Sequence, residues 1–198
     1  MMNSEQRERL IERHRYINVE LDDWHQSVYE GFKEDMREVG IDVRRMYFTG
    51  FWSQGDGACF EGAFGNLRAY LDHHHKDQYP MIRKLLEHDG YVYIECRHSG
   101  HYYHENCTQF STDHDTFYRL VECPTEFHEQ IVDQWDKQLE YEIDDFERDV
   151  TEQWRSYMQD LYRKLEEEYD YLTSDEAVWE AIEANELDED EEEYDEVA

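Results

Sequence analysis

The sequence lacks any long apolar run. None of its segments approaches the roughly 18 apolar residues that a membrane-spanning helix needs, and its opening residues, MMNSEQRER, contain no apolar signal region. We therefore expect a cytoplasmic protein that has no membrane as a partner. The four cysteines include no Cys-x-x-Cys pair, and in a reducing compartment they are expected to be free, buried thiols.

Recognisable catalytic motifs are also missing. The sequence contains no phosphate-binding loop, no Gly-x-Ser-x-Gly, no His-Glu-x-x-His and no dinucleotide-binding fingerprint. Histidines cluster at residues 73–75, and a second group of possible zinc ligands comprises Cys96, His98, His101, His104 and Cys107. Imidazole and thiolate both suit zinc. On a strand, however, side chains three residues apart point to opposite faces, so the last three histidines do not converge on one ion. These features favour a binding protein without a metal or another cofactor over an enzyme.

Basic residues are scarce, and they stop early. The chain has 19 Lys and Arg residues against 51 Asp and Glu, which gives a net charge of −32 over 198 residues. The last basic residue is Lys164, and residues 165–198 hold 17 of the acids. A charge of this size repels nucleic acid and anionic membranes. It argues against direct nucleic-acid binding, and it predicts a partner that is basic or that binds through an uncharged patch.

Near the end of the chain, residues 186–196 are almost wholly acidic, and they make up most of the segment 186–198. A run of like charges with little apolar content cannot offset the entropy that is lost on ordering, so this segment is predicted to be a disordered tail. The tail either keeps the protein in solution or attracts a basic partner.

Residues 4–110 predict a helical N-terminus followed by a small sheet. Residues 4–39 place apolar side chains three and four apart, as in a helix. Asn18 could divide this helix by capping a second one, and Gly40 suits its end. The segments that follow are predicted as strand 43–52, turn 53–57, strand 58–64, helix 66–75, helix 80–88, strand 91–97, turn 99–100 and strand 101–110. The strands among these segments are predicted to form an antiparallel sheet of about four strands.

The C-terminal part predicts a long helix. Apolar residues recur at spacings of three and four from 125 to 172, without a Gly or Pro. The pattern fits either one continuous helix or a helix pair that is divided near Asp144 and Asp145. Thr173 and Glu176 match a capping box for a short helix over about 174–185. The fold class is thus α+β, with a single domain over residues 1–185 before the acidic tail.

The most distinctive segment is the turn between the first two predicted strands, GFWSQGDGACF at residues 50–60. Glycines on both sides of Asp56 permit positive φ angles and a close approach of the backbone. Trp52, Gln54 and Asp56 could therefore form a ligand-binding or partner-binding tip. In the alternative interpretation, the glycines and Asp56 serve only the geometry of a demanding turn.

Two segments resemble motifs of a family of small bacteriophage proteins. They are FTGFWSQGDGACFEG at residues 48–62 and LEEEYDYLTSDEAV at residues 165–178. The family brings no established activity, although some members carry an antitoxin label. The resemblance implies a phage protein that acts inside the host cell. Acidic phage proteins often occupy the DNA-binding sites of host restriction, CRISPR or nucleoid proteins.

The leading hypothesis is therefore an acidic inhibitor that binds a basic, nucleic-acid-handling host defence protein by DNA mimicry. Carboxylates along one helix face can imitate a phosphate backbone, and they associate rapidly with basic surfaces in a salt-sensitive way. The carboxylates assigned to this contact are Asp144, Asp145, Asp149, Glu166, Glu167, Glu168 and Asp170, with the tail in support.

Three alternatives remain at this point. The protein could bind a small ligand, or act as a sponge for a defence signal, through Trp52, Gln54, Asp56 and nearby histidines. It could be an antitoxin-like protein that binds a partner, or an enzyme built on the same turn. Independently of these functions, the long amphipathic helix could pair with its own copy in a homodimer.

Overall fold

The computed structural model describes residues 3–21, 23–117 and 126–187. It confirms the α+β class, because helices precede and follow a four-stranded antiparallel sheet. In chain order, the elements are α1 (Ser4–Arg13), α2 (Gln26–Glu38), β1 (Ile41–Thr49), β2 (Gly57–Phe64), α3 (Leu67–His74), α4 (Pro80–Glu87), β3 (Val92–His98), a 3-10 turn (Glu105–Cys107), β4 (Thr108–His114), α5 (Glu126–Leu172) and α6 (Asp175–Ala184). Within the described residues, no helix is both long and apolar enough to cross a membrane.

The sheet has the strand order β1-β2-β3-β4, and every neighbouring pair is antiparallel. The β1–β2 hairpin was predicted correctly, and its last pair joins Thr49 to Gly57. The fourth strand begins at Thr108, so the predicted start at residue 101 is wrong. Residues 99–107 instead form a loop that is closed by a hydrogen bond from Ser99 N to Cys107 O (2.8 Å).

The described residues belong to two compact units. One comprises residues 30–162, and the other combines residues 1–29 with residues 163–198. The division runs through α2 and α5, and the single domain over residues 1–185 stays a prediction. We call residues 30–162 the sheet unit, and we call residues 1–29 together with residues 163–198 the terminal unit.

The core of the sheet unit is rich in aromatic side chains. Phe60 of β2 lies 5.7 Å from Trp154 of α5, measured between ring centroids, and both side chains are fully buried. The apolar stripe that α5 contributes follows the predicted spacing of three and four: Leu139, Ile143, Phe146, Val150, Trp154, Met158 and Leu161. Because this stripe is uninterrupted, α5 is one continuous helix and has no break near Asp144.

The N-terminal helix is divided, but not in the predicted way. Residues 14–25 connect α1 to α2, and Asn18 does not cap α2. Its side-chain amide instead donates to the carbonyl oxygens of Leu172 (3.0 Å) and Ala177 (3.2 Å) in the terminal unit. The predicted end of the helix is confirmed, since α2 ends at Glu38 and Gly40 has a φ of +87°.

The N-cap residue of the short helix α6 lies one position later than the predicted cap, Thr173. Ser174 is the N-cap residue, and its hydroxyl accepts a hydrogen bond from Ala177 N (3.3 Å). Thr173 donates its hydroxyl to Tyr169 O (2.8 Å) and so completes the last turn of α5. The predicted disordered tail lies outside the described residues, apart from Glu186 and Leu187.

Candidate functional site

Several carboxylates of α5 point inward and hold the sheet unit together. Asp149 accepts a hydrogen bond from the Tyr79 hydroxyl, and Glu142 accepts one from Ile82 N (2.8 Å) in the first turn of α4. Two similar bonds join Phe117 N to Asp136 (2.6 Å) and the Thr112 hydroxyl to Glu147. Buried donors need such acceptors, so these four acids serve the fold.

Burial changes the proton affinity of two members of this internal network. It raises the pKa of Glu142, and the backbone N–H groups of Ile82 and Met81 partly offset this effect. Burial also raises the pKa of the Tyr79 hydroxyl, with Asp149 as the next cause. Asp149, which was assigned to the partner contact, therefore carries out an internal role in this structure.

A second set of α5 carboxylates points outward. Its members are exposed and are spaced at i, i+4, i+11 and i+15, which places them within about 60° around the helix and about 22 Å along its axis. We call this set the α5 acidic stripe: Glu129, Asp133, Glu140 and Asp144. Tyr141 lies beside it and is 74% exposed. Only Asp144 of these four was predicted from the sequence, although their helical spacing could have identified the others.

Basic residues lie close to the stripe without neutralising it. Lys137 is an exposed neighbour on the same helix. Asp145, another assigned contact residue, forms an exposed ion pair with Arg148 (3.0 Å). Exposed pairs of this kind contribute little stability, so the Asp145 carboxylate stays accessible to a competing cation.

The remaining assigned carboxylates belong to the terminal unit. Glu166, Glu167 and Asp170 are exposed, and Glu168 is half-buried. Glu167 pairs with Arg163 at 3.0 Å, one helical turn away. Their role in partner binding stays a prediction.

The turn between β1 and β2 uses the Asp56 carboxylate for its own geometry. Asp56 Oδ2 accepts hydrogen bonds from Trp52 N (3.0 Å) and Ser53 N (2.6 Å), and Asp56 N donates to Ser53 O (3.0 Å). A Cβ atom on Gly50 would lie only 2.9 Å from the same carboxylate oxygen. The contacts thus support the interpretation that Asp56 serves the turn.

The same turn packs against the connection between β3 and β4. Gly55 has a φ of +99°, and a Cβ atom there would overlap the Tyr102 ring. A Cβ atom on Gly57 would lie 2.6 Å from the Cβ atom of His104. The loop over residues 99–107 thus packs closely against the turn, while Trp52 is 76% exposed. The ligand site proposed for Trp52, Gln54 and Asp56 stays a prediction.

Several histidines make ring contacts and hydrogen bonds. His98 Nε2 lies 3.1 Å from Tyr102 O, and His74 Nε2 lies 2.7 Å from the Tyr157 hydroxyl. Burial lowers the pKa of His74 to about 4, with smaller effects from its two histidine neighbours. In the part of the chain that the structure describes, no three His, Cys, Asp or Glu side chains are arranged to hold a metal ion.

Comparison with known protein families identifies a match over most of the chain. The model of a family that is described as a domain of unknown function matches residues 24–175, which include α2 to α5. No curated protein and no solved structure matches the chain.

Proposed function

This chain belongs to the DUF8835 family, defined by that domain of unknown function, and we propose that it binds a basic, nucleic-acid-handling protein through carboxylates that take the place of phosphates. The observation that carries the proposal is the α5 acidic stripe, which lies on one face of a helix that the core holds in place. Because the helix backbone already holds these carboxylates in a row, the protein loses little conformational entropy when they bind a row of basic side chains on a partner.

The spacing of the stripe limits the size of the contact. A B-DNA strand carries one phosphate per 3.4 Å of axis, so about 22 Å of strand holds roughly six phosphates. The stripe supplies four carboxylates over that length. It can therefore pair with about four Lys or Arg side chains, as part of a phosphate-binding groove.

The resemblance to bacteriophage proteins suggests which partner to test first. A protein made in an infected cell and carrying a charge of −32 would meet host nucleases in the cytoplasm. Occupation of their DNA-binding surface would inhibit defence without contact to any nucleic acid. Electrostatic attraction would also speed the encounter and make it sensitive to salt.

The test is a competition experiment. A basic nuclease of a bacterial defence system is bound to a fluorescent DNA duplex, and the protein is added as competitor at several NaCl concentrations. Four substitutions, Glu129→Gln, Asp133→Asn, Glu140→Gln and Asp144→Asn, should weaken competition about tenfold. This estimate assigns roughly 0.3–0.5 kcal/mol to each exposed pair.

A matched control separates the stripe from net charge. Glu34→Gln, Glu38→Gln, Asp77→Asn and Glu87→Gln remove the same charge from exposed positions of the sheet unit outside α5. This variant should compete nearly as well as the unchanged protein. An equal loss in both variants, or competition that does not weaken with salt, would contradict the proposal.

A further inference from the structure

The first and last helices of the terminal unit form a cleft of about 660 Å³. Each helix lines it with residues that share one face, because they are three or four positions apart. Those that matter here are Arg7 and Glu8 on α1 and Glu176, Trp179, Glu180 and Glu183 on α6.

A buried apolar cluster forms the base of the cleft. Leu10 and Ile11 of α1 pack against Val178 and Ile182 of α6, and these four side chains are buried. Trp179 is half-buried against this cluster, so one part of its ring faces the core and another lines the cleft. An indole that is anchored in this way loses little freedom when it binds a ligand.

The Trp179 ring already has a cation on it. The guanidinium carbon of Arg7 lies 4.5 Å from the ring centroid, within the range of a cation–π interaction. The geometry therefore suits a planar guanidinium, which stacks on aromatic faces more readily than an ammonium group.

The rim of the cleft is negatively charged. Asp175 also lines it but pairs with Arg15. Glu8, Glu176, Glu180 and Glu183 form no salt bridge with any residue that the structure describes. Four carboxylates thus face one guanidinium, that of Arg7, and a second cation would improve the balance of charge.

We propose that this cleft binds an arginine side chain of a partner protein, with the guanidinium stacked on Trp179 and paired with the rim carboxylates. The site is separate from the α5 acidic stripe, and it does not depend on the function proposed for that stripe. Arginine combines the charge that the rim attracts with the flat surface that the ring accepts. Arg7 competes for the same ring and so limits the affinity.

The test uses the full chain and three tripeptides, acetyl-Gly-X-Gly-amide, in which X is arginine, lysine or neutral citrulline. Binding is followed in NMR titrations through the amide signals of α6 at physiological ionic strength. The arginine peptide should bind best, the lysine peptide less well and the citrulline peptide hardly at all. Equal binding of the citrulline peptide would overturn the proposal.

Two substitutions should change the affinity in opposite directions. Trp179→Leu removes the ring but keeps an apolar side chain against the core, and it should weaken binding of the arginine peptide at least about fivefold. Arg7→Gln removes the competing cation. Arg7 is exposed and glutamine has a similar helix propensity, so the helix should stay intact. Binding of the arginine peptide should strengthen about twofold to fivefold.

The control is Tyr171→Leu, which removes another exposed aromatic ring of the terminal unit. Tyr171 does not line the cleft, so this variant should leave the affinity unchanged. A second variant, Glu180→Gln with Glu183→Gln, keeps the core intact and should weaken binding about threefold. If Trp179→Leu binds the arginine peptide as well as the unchanged protein does, or if Tyr171→Leu loses as much affinity as Trp179→Leu, the cleft is not the arginine site.

Discussion

A single carboxylate, that of Asp56, organises the turn between β1 and β2. Its two accepted N–H bonds come from consecutive residues, Trp52 and Ser53. Aspartate is common in turns because its short side chain can satisfy nearby backbone donors in this way. The residue type and its glycine neighbours were evident from the sequence, but the choice between turn and ligand needed the positions of these donors.

Substitution of Asp56 by alanine should destabilise the protein by about 0.5–1.5 kcal/mol, because two exposed backbone N–H groups exchange a carboxylate acceptor for water. Urea unfolding measures this change, and Asp77→Ala, at an exposed position, is the control and should cost less than about 0.5 kcal/mol. If Asp56→Ala leaves stability unchanged but abolishes binding of a small molecule, Asp56 is a ligand contact instead.

His74 permits a second test at the residue scale, which concerns pH. Its pKa is about 4 in the folded protein against an ordinary value of 6.5, so the unfolded chain binds more protons between these values. Stability should therefore fall as pH decreases from about 6.5 towards about 4, and the contribution is fully present only above 6.5. Burial, the main cause of the shift, disfavours the charged imidazolium.

Measurements of unfolding free energy at pH 7 and pH 5 can isolate this effect. His74→Phe keeps a ring beside Tyr70, whose centroid lies 4.7 Å away, and it removes the titrating group. The variant should lose less stability on acidification than the unchanged protein does. The control is His101→Phe, at an exposed position, which should not alter the pH dependence of the unfolding free energy. If this control also loses less stability on acidification, the effect cannot be assigned to His74.

At the scale of helices and strands, periodicity predicted most of the fold. The uninterrupted spacing of apolar residues in α5 and the alternation in β3 are local signals, and both elements lie where they were expected. Errors arose where a distant residue decides the local structure. Asn18 looked like a helix cap, yet its amide donates to the carbonyl oxygens of Leu172 and Ala177, more than 150 positions along the chain.

The candidate site was less predictable than the fold for the same reason. Asp144 and Asp149 are identical residues on one helix, but only Asp149 meets the Tyr79 hydroxyl. Tyr79 comes from a segment 70 positions earlier, and no local pattern reveals this pairing. Trp179 and Arg7 likewise meet only because α1 and α6 pack together. Side-chain spacing alone identifies the faces of a helix, but not their partners.

At the scale of the whole molecule, the net charge of −32 dominates. Like charges repel one another in the compact state more than in the expanded chain, and salt screens this repulsion. The Debye length falls from roughly 30 Å at 0.01 M salt to roughly 8 Å at 0.15 M. The terminal unit has the greater excess of acids, because residues 165–198 contain no basic side chain.

The melting temperature should therefore rise by several degrees when NaCl increases from about 0.01 M to about 0.15 M. Differential scanning calorimetry measures the change. The variant with Glu129, Asp133, Glu140 and Asp144 neutralised has four fewer negative charges and should gain less from salt. A melting temperature that stays constant or falls with added salt would show that repulsion among the carboxylates has little effect on the stability of the folded protein.

Strand β1 lies at the edge of the sheet, where an unprotected backbone invites another chain to add a strand. Its pairing with β2 shifts register between Val43 and Arg45, and the exposed residues Arg44 and Arg45 lie at that irregularity. A bulge and a basic side chain both discourage edge-to-edge growth. The Arg44 guanidinium reaches across the sheet to Tyr93 and Glu95 of β3. In a chain so poor in basic residues, we therefore expect Arg45 at this bulge to hinder the addition of a further strand at high protein concentration.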